Sequence, residues 1–577
     1  MIEIDPVTRE IMQNALASAA DEMSMALYRT AYSTIVRDCL DYSTSLCNAR
    51  GEMIAQGVTI PLHLGSVPFA MAALFKKYAD DMDPGDVFIM NDPFDGGMHI
   101  PDIFIVRPIF WESERVAFAV STAHHLDLGG RLPGSSACDN TEIFQEGIRI
   151  PWLKLYNKGV ADESIFSLIR TNVRVPHMTI GDLRAQLSAC HIGERSVHTL
   201  IERYGLETFV AGADDLIDYT ERLVRAEIQG WPDGSHTFTD YLDSDGVGGP
   251  RVKIHVKVTV KGDELTADFT GTDPQVRGAI NSTLSFTAAV VALCVRSVMK
   301  EEIPNSEGMF RPLKIIAPEG TVVNVSMPGA SSMRGVTGFR MTDAVFGALA
   351  GLLPDRVLAA GEGGNTLVII GGQREDRSPY VFYELLSGTW GARPDRDGND
   401  GLCNPANVAS NIPIEQAESE YPVRVLQYGL LEDSGGAGRF RGGMGIVREW
   451  ELLAGEAHLA IRSDRRDHLP YGLYGGKSAT GSMNVLRHSD SDEVLPTMIS
   501  TTMKAGEVIY HRQAGGGGFG DPLERGAEAV ARDVKNGRVS LTKAEEAYGV
   551  IVEADTFGVD VDCTRVLREE MGGGRVA

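Results

Sequence analysis

Residues 91–127 bring together histidine and carboxylate side chains at spacings that suit metal ligation or proton transfer. His99 and Asp102 stand at either end of the run HIPD. Pro101 between them fixes one backbone dihedral and stiffens the link, so that the imidazole and the carboxylate can converge. The apolar run IFIVRPIF follows directly, and a second one, VAFAVSTA, ends in His124, His125, Leu126 and Asp127. If these runs are neighbouring antiparallel strands, the second pair of histidines returns beside the first site. Mixed His/Asp ligation suits a divalent ion such as Mn, Zn or Fe(II), and three protein ligands with an open position is what a catalytic metal needs. The preferred trio is His99, Asp102 and His124, with His125 as a further candidate. Spacing alone leaves another reading open, in which these are ordinary hydrogen-bonded histidines near strand ends, because no zinc-protease or zinc-finger spacing is present. It also leaves open whether His99 is a ligand or an acid/base, since one imidazole does not readily do both.

Other residues could contribute. Asp41, in RDCLDYS, is a candidate general base, although a lone Asp serves equally well as a helix cap or an ion-paired acid. His63, in PLHLGS, carries the same ambiguity. Asp92 and Asp95 beside Gly96 and Gly97 suggest a loop whose backbone approaches a ligand, or else a plain turn. Two glycine-rich segments fail as phosphate loops. The run from Gly472 to Ser478 is one residue short of a Walker A loop, and AGGGGFGDP at 514–522 neither follows an apolar strand nor has dinucleotide-binding spacing. Turns or close backbone packing are expected there instead. No GxSxG elbow marks a serine hydrolase, and Cys39 and Cys138 are better explained as packed core residues than as nucleophiles.

The elements that would position these groups begin at the N-terminus. Asp5 and Pro6 cap a long helix on which Ile11, Leu16, Ala19, Met23 and Leu27 recur at helical spacing. VFIM at 87–90, IFIVRPIF at 103–110 and VAFAVSTA at 116–123 read as strands. Helix returns between about 160 and 230, with Gly205 as a C-cap. The alternating run RVKIHVKVTV, the turn Lys261-Gly262-Asp263 and ELTADF form a hairpin. Residues 281–300 read as a buried helix, and 311–450 as short strands among many glycines and prolines. Two short helices are expected after Asp521-Pro522, the second opened by a capping box from Thr542 to Glu545 and closed near Gly549. The expected class is mixed α/β (α+β), multi-lobed, with a long N-terminal helix and mixed sheets. The expected lobes are 1–235, carrying the site motifs, a mixed α/β lobe at 236–450, and a β-rich segment at 451–577 ending in short helices.

Length and composition narrow the function classes. A chain of 577 residues suggests two to four domains or large lobes. With 43% hydrophobic and 23% charged residues, it should fold almost throughout. Acidic residues outnumber basic ones 79 to 54 with no Lys/Arg cluster, which argues against nucleic acid or an anionic membrane as partner. MIEIDPVTRE lacks the build of a signal peptide, and the longest apolar run, near Phe286 to Val295, is too short to span a bilayer. A cytoplasmic location is expected. The seven cysteines are scattered without a CxxC pair and are expected to be reduced and largely buried.

Several long blocks together resemble the hydantoinase B/5-oxoprolinase family: RDCLDYS, PLHLGSVP, GDVFIMNDPFDGGMHIPDI, STAHHLDLGG, DFTGTDPQVRGAINST, GARPDRDGNDG, the stretch from NIPIEQAESEYPVRV through DSGGAGRFRGGMG, and AGGGGFGDP. The resemblance runs nearly end to end, and its relatives include N-methylhydantoinase B, caprolactamase and acetone or acetophenone carboxylase subunits. It implies a metal-carrying subunit of a two-subunit, ATP-dependent cyclic amidase. ATP and Mg would be bound mainly by a larger hydantoinase A-type partner, in a heteromer such as a two-plus-two assembly. By matching positions it implies His99, Asp102 and His124 as metal ligands and places Asp41 near the active centre, so that Asp41 and His99 are the expected catalytic residues. The same resemblance admits a ketone carboxylase subunit, which would need bicarbonate, and a non-catalytic scaffold for the ATP-binding subunit. The chain length favours the hydrolase.

Overall fold

The computed structural model describes residues 4–403 and 405–573; residues 1–3, 404 and 574–577 lie outside the described residues. The first helix is Pro6–Thr30. The Asp5 carboxylate accepts from the backbone N–H groups of Val7 and Thr8, and Pro6 occupies the first turn, where a missing N–H costs nothing. Its buried face carries Met12, Leu16, Ala19, Met23 and Leu27. Ile11, expected on that face, is 43% exposed, and Met12 takes its place. The helix packs along the longest helix of the molecule, Pro176–Tyr204, which in turn lies on the sheet that carries the site.

That sheet has seven strands: β1 (Tyr42–Asn48), β2 (Met53–Gln56), β3 (Val87–Met90), β4 (Asp102–Trp111), β5 (Glu114–His124), β6 (Leu153–Asn157) and β7 (Val160–Ala161), in the order β2-β1-β5-β4-β3-β6-β7. Every pairing is antiparallel. All of β1 is buried, polar as it is, and so is most of β4 and β5, which accounts for the nearly unbroken apolar runs of those two strands. Two register pairs lie at the end of the sheet where the candidate residues gather: Tyr42 opposite Ala123, and Asp102 opposite His124.

Three further sheets are formed among the described residues. One contains the expected hairpin Val252–Lys261/Glu264–Asp268, with Gly262 at φ 63° in the turn. Another pairs Pro379–Leu385, Leu367–Gln373, Glu456–Arg462 and Met498–Lys504, drawing strands from both sides of residue 450. The expected buried helix is Leu284–Val298. The helical region after 160 divides into Glu163–Asn172, Pro176–Tyr204 and Leu206–Gln229, with Gly205 at φ 84° both ending one helix and preceding the next.

Some expectations are corrected. Residues 311–450 contain a 17-residue helix, Arg334–Ala350, buried at every position. Among the described residues three helices rather than two follow Pro522: Ala527–Lys535, Leu541–Tyr548 and Val561–Gly573. The middle one is capped by Ser540, whose hydroxyl accepts from Lys543 N–H, so Thr542 lies inside the helix rather than at its cap. Gly549 closes that helix in the left-handed conformation, as expected.

One hydrophobic core runs from Met12 to Ile509, and a small second cluster holds the last helices. The glycine-rich segment is packed backbone against backbone: a Cβ on Gly516 would lie 2.0 Å from the Trp390 carbonyl oxygen, and one on Gly517 2.0 Å from that of Tyr471. Six cysteines are buried and Cys563 is exposed. No helix among the described residues is long and apolar enough to cross a membrane.

Candidate active site

Sheet register builds the site. Asp102 opens β4 and faces His124, the last residue of β5. β1 lies on the other side of β5, and Asp41 stands immediately before it, its backbone carbonyl accepting from His124 N–H at 3.0 Å. Three adjacent strand ends thus carry Asp41, His124 and Asp102. His99 joins them through a tight turn in which Asp102 N–H donates to the His99 carbonyl at 3.1 Å. His63 enters from the short helix Pro61–Leu64. Asp41, His63, His99 and His124 line one cavity with Phe286, Arg334, Gly335, Asn365, Tyr383 and Arg462, among others.

The polar atoms here are close but incompletely bonded. His99 Nδ1 is 2.7 Å from Asp102 Oδ2, in contact with the carboxylate but without hydrogen-bond geometry. His124 Nδ1 is 3.4 Å from Asp102 Oδ1, while His124 Nε2 and Asp102 Oδ1 are likewise buried without hydrogen-bond partners. One donor atom from each of His99, Asp102 and His124 lies within 4.8 Å of the others. Buried polar atoms are nearly always satisfied, so a clustered His/Asp set in which each residue keeps an unpartnered polar atom fits a divalent cation. Protonation agrees. Burial, reinforced by Arg334, holds His99 well below its usual pKa and therefore neutral. Burial opposes charge on Asp102, but the Arg334 guanidinium, whose Nη2 donates to Oδ2 at 2.6 Å, helps hold its pKa well below the usual carboxylate range. Arg334 stacks on Phe286, 4.3 Å from the ring centroid, so its hold on Asp102 is directed.

Asp41 is set differently. Its Oδ1 is 3.7 Å from His63 Nε2 and its Oδ2 is 3.8 Å from His124 Nδ1, both beyond hydrogen-bond range. The Ser43 hydroxyl donates to the Ile60 carbonyl at 3.3 Å, which leaves its oxygen to accept from His63 Nδ1–H at 2.9 Å. Burial keeps His63 neutral by lowering its pKa. Its Nε2 is then a bare acceptor facing the Asp41 carboxylate, and the two acceptors can share the proton of one molecule between them.

The remaining candidates point elsewhere. Successive strand residues face opposite ways, and His125 turns from the cavity to bond Gln186 Oε1 at 2.9 Å. Asp92 caps the turn Pro93–Asp95 by accepting from Phe94 N–H at 3.0 Å and pairs with Arg149 at 3.1 Å. Gly96 and Gly97 serve packing, since a Cβ on either would meet backbone within 2.7 Å, at Phe69 and Asp92 respectively.

Sequence reasoning missed Arg334, Asn365, Tyr383 and Arg462. The Tyr383 ring lies 5.1 Å from the His124 ring, centroid to centroid. Asn365, at φ 41°, turns its carbonyl to accept from Arg462 Nε at 3.1 Å and Nη2 at 2.8 Å. The only local signal was an arginine followed by glycine at the head of an apolar run, Met333-Arg334-Gly335.

Glu146 fixes the approach to Arg334. Its Oε1 accepts from the N–H groups of Ser331 at 2.7 Å and Ser332 at 2.8 Å, just before the Arg334–Ala350 helix. Burial pushes its pKa up to about 8 from the ordinary 4.5. A raised folded value means that its contribution to stability is complete below pH 4.5 and is lost as pH rises through about 8. Glu146→Gln keeps an acceptor for both N–H groups and cannot ionise. Urea denaturation between about pH 5 and 9 should show wild-type stability falling faster than the variant's, and parallel curves would contradict this role.

The chain has relatives among known proteins. A family model described as Hydantoinase B/oxoprolinase matches residues 5–522. The chain is 34% identical over 576 residues to the caprolactamase subunit beta of Pseudomonas jessenii, covering 96% of this chain and 97% of that one. The crystal structure of the ATP-dependent caprolactamase from Pseudomonas jessenii superposes with a TM-score of 0.91 at 32% identity, covering 98% of this chain and all of that chain (100%). A nucleotide-free acetone carboxylase structure superposes with a TM-score of 0.90 at 20% identity, over 99% of this chain and 83% of that one, a likeness of fold.

Proposed function

This chain belongs to the hydantoinase B/oxoprolinase family, and from that premise we propose that it is the metal-carrying subunit of a two-subunit enzyme that opens a cyclic amide at the cost of ATP. The observation that carries this reading is the convergence of Asp41, His63, His99 and His124 on one cavity, with Asp102 behind them. The match to a caprolactamase beta subunit over almost the whole of both chains supports the reaction class and the need for a second subunit. ATP would be held by that partner, of hydantoinase A type, in an assembly such as two plus two. The glycine-rich segment here supports that division, because its backbone is already packed against Trp390 and Tyr471.

His99, Asp102 and His124 would hold a divalent cation such as Mn, Zn or Fe(II), which would polarise the amide carbonyl and stabilise negative charge on its oxygen. The chain's own residues do the rest. Arg334 orients Asp102 through Oδ2 and leaves Oδ1 free. Asp41 and the neutral His63 Nε2 flank a water and take its proton as its oxygen attacks the carbonyl carbon. The same pair can return the proton to the departing amide nitrogen, so that the ring opens to an amine and a carboxyl group. ATP supplies the driving force by phosphorylating the oxygen that the attack exposes, releasing ADP, so that the carboxyl group first forms as an acyl phosphate, which a second water splits to the free carboxylate and inorganic phosphate. In this assignment His99 is a ligand and Asp41 is the base.

Co-expression with the ATP-binding partner and measurement of ADP release against hydantoins, lactams and ketones, with and without bicarbonate, tests the proposal. ADP release matched by ring-opened product, independent of bicarbonate, is expected. A strict bicarbonate requirement with a ketone substrate would replace the amidase reading with the carboxylase one.

A further inference from the structure

Arg462 carries a positive charge into the cavity wall with no countercharge beside it. It is 3% exposed. Two of its nitrogens donate to the Asn365 carbonyl, and Nη1 has only the Met333 thioether sulfur at 3.5 Å, a weak acceptor. It makes no ion pair among the described residues. Its titratable neighbours compensate only in part: burial raises the pKa of Tyr383 and Cys138 and keeps both neutral, and it pushes Glu362, which bonds Gly364 N–H at 3.0 Å, up to about 7. A buried guanidinium without a countercharge is costly unless a ligand supplies one.

Three neighbouring features point the same way. The 17-residue helix Arg334–Ala350 begins at this cavity with no side-chain cap, so the positive end of its dipole faces the same space. Arg334 Nε is buried without a partner, although Nη2 of the same group is engaged by Asp102. Gly335, in the first turn, lets the Asn365 amide and Arg462 pack close against the helix start: a Cβ there would lie 2.1 Å from Asn365 Nδ2 and 3.7 Å from Arg462 Nη1.

We propose that Arg462, with Gly335 and the first turn of the Arg334–Ala350 helix, forms an oxyanion-binding corner that holds an anionic oxygen group of the ligand in the cavity that Asp41 also lines. A planar guanidinium beside a helix N-terminus recognises carboxylate and phosphoryl oxygens alike. This rests on the ring-opening reading only for where such a group comes from: a carboxylate already on the cyclic amide, or the phosphoryl group placed on the attacked carbonyl. In either case Arg462 would orient the ligand while Asp41 and His63 handle the proton.

The test is calorimetric titration of the full chain, in complex with its ATP-binding partner saturated with ADP, using two probes, inorganic phosphate and acetate. Wild type is expected to bind at least one probe, Arg462→Gln to weaken that binding about tenfold or more, and Arg462→Lys to restore part of it. Preference for phosphate identifies the phosphoryl source, and preference for acetate the substrate carboxylate. Absence of binding in wild type, or equal binding in wild type and R462Q, overturns the proposal. If R462Q does not fold, R462K decides alone, because unchanged affinity without the planar fork also overturns it. Neither probe is a cyclic amide, so this result stands apart from the ADP-release assay, and failure of one is distinguishable from failure of the other.

Discussion

Asp41→Asn is expected to lower the rate of ATP-coupled ring opening by about two to four orders of magnitude, the range that a positioned base contributes. The reason is geometric. The histidine nitrogens that face its carboxylate oxygens are 3.7 and 3.8 Å away, so among the described residues the amide gives up no hydrogen bond to them when it replaces the acid. The contact that ties this residue to β5 runs through its backbone carbonyl and survives the change. The variant should therefore assemble with its partner and keep its KM while kcat collapses. Parallel assays of ring-opened product and ADP, together with gel filtration of the complex, check this. Full retention of kcat would remove Asp41 from the proton path and leave His63 as the acceptor.

The second large effect concerns stability. Asp102→Asn removes the only ion-pair partner that Arg334 has among the described residues, and this guanidinium is buried against Phe286. Breaking a buried pair from one side costs about 3–5 kcal/mol, most of it from the charge left behind. His99→Ala should behave differently, because His99 Nδ1 has no hydrogen-bond partner to lose. Both variants are expected to lose the metal, but only Asp102→Asn should show the large drop in unfolding free energy. Equal destabilisation of the two would mean that Arg334 does not depend on Asp102.

The contrast between these residues also shows what local sequence can specify. His99, Asp102 and His124 were readable because two apolar runs joined by a short turn must pair, and pairing puts the start of one beside the end of the other. Asp5-Pro6 and Lys261-Gly262-Asp263 were readable because capping and turn chemistry act within a few residues. The helix Arg334–Ala350 was not. All of its positions are buried, so it has no polar face and no amphipathic period to detect. Arg334 and Arg462 were invisible as site residues for a related reason. They arrive from elements far along the chain, and only tertiary packing brings them to Asp102 and Asn365. His125 shows the converse limit: its neighbour His124 faces the cavity, and strand alternation sends His125 to Gln186.

The central claim is that His99, Asp102 and His124 hold a catalytic divalent ion. It is tested most directly by elemental mass spectrometry of the purified complex, wild type beside His99→Ala, with activity measured on the same samples. About one tightly held divalent ion per copy of this chain, lost together with ring opening in His99→Ala, is the predicted result. Full ATP-dependent ring opening by protein shown to carry no such ion, or by His99→Ala, would contradict it.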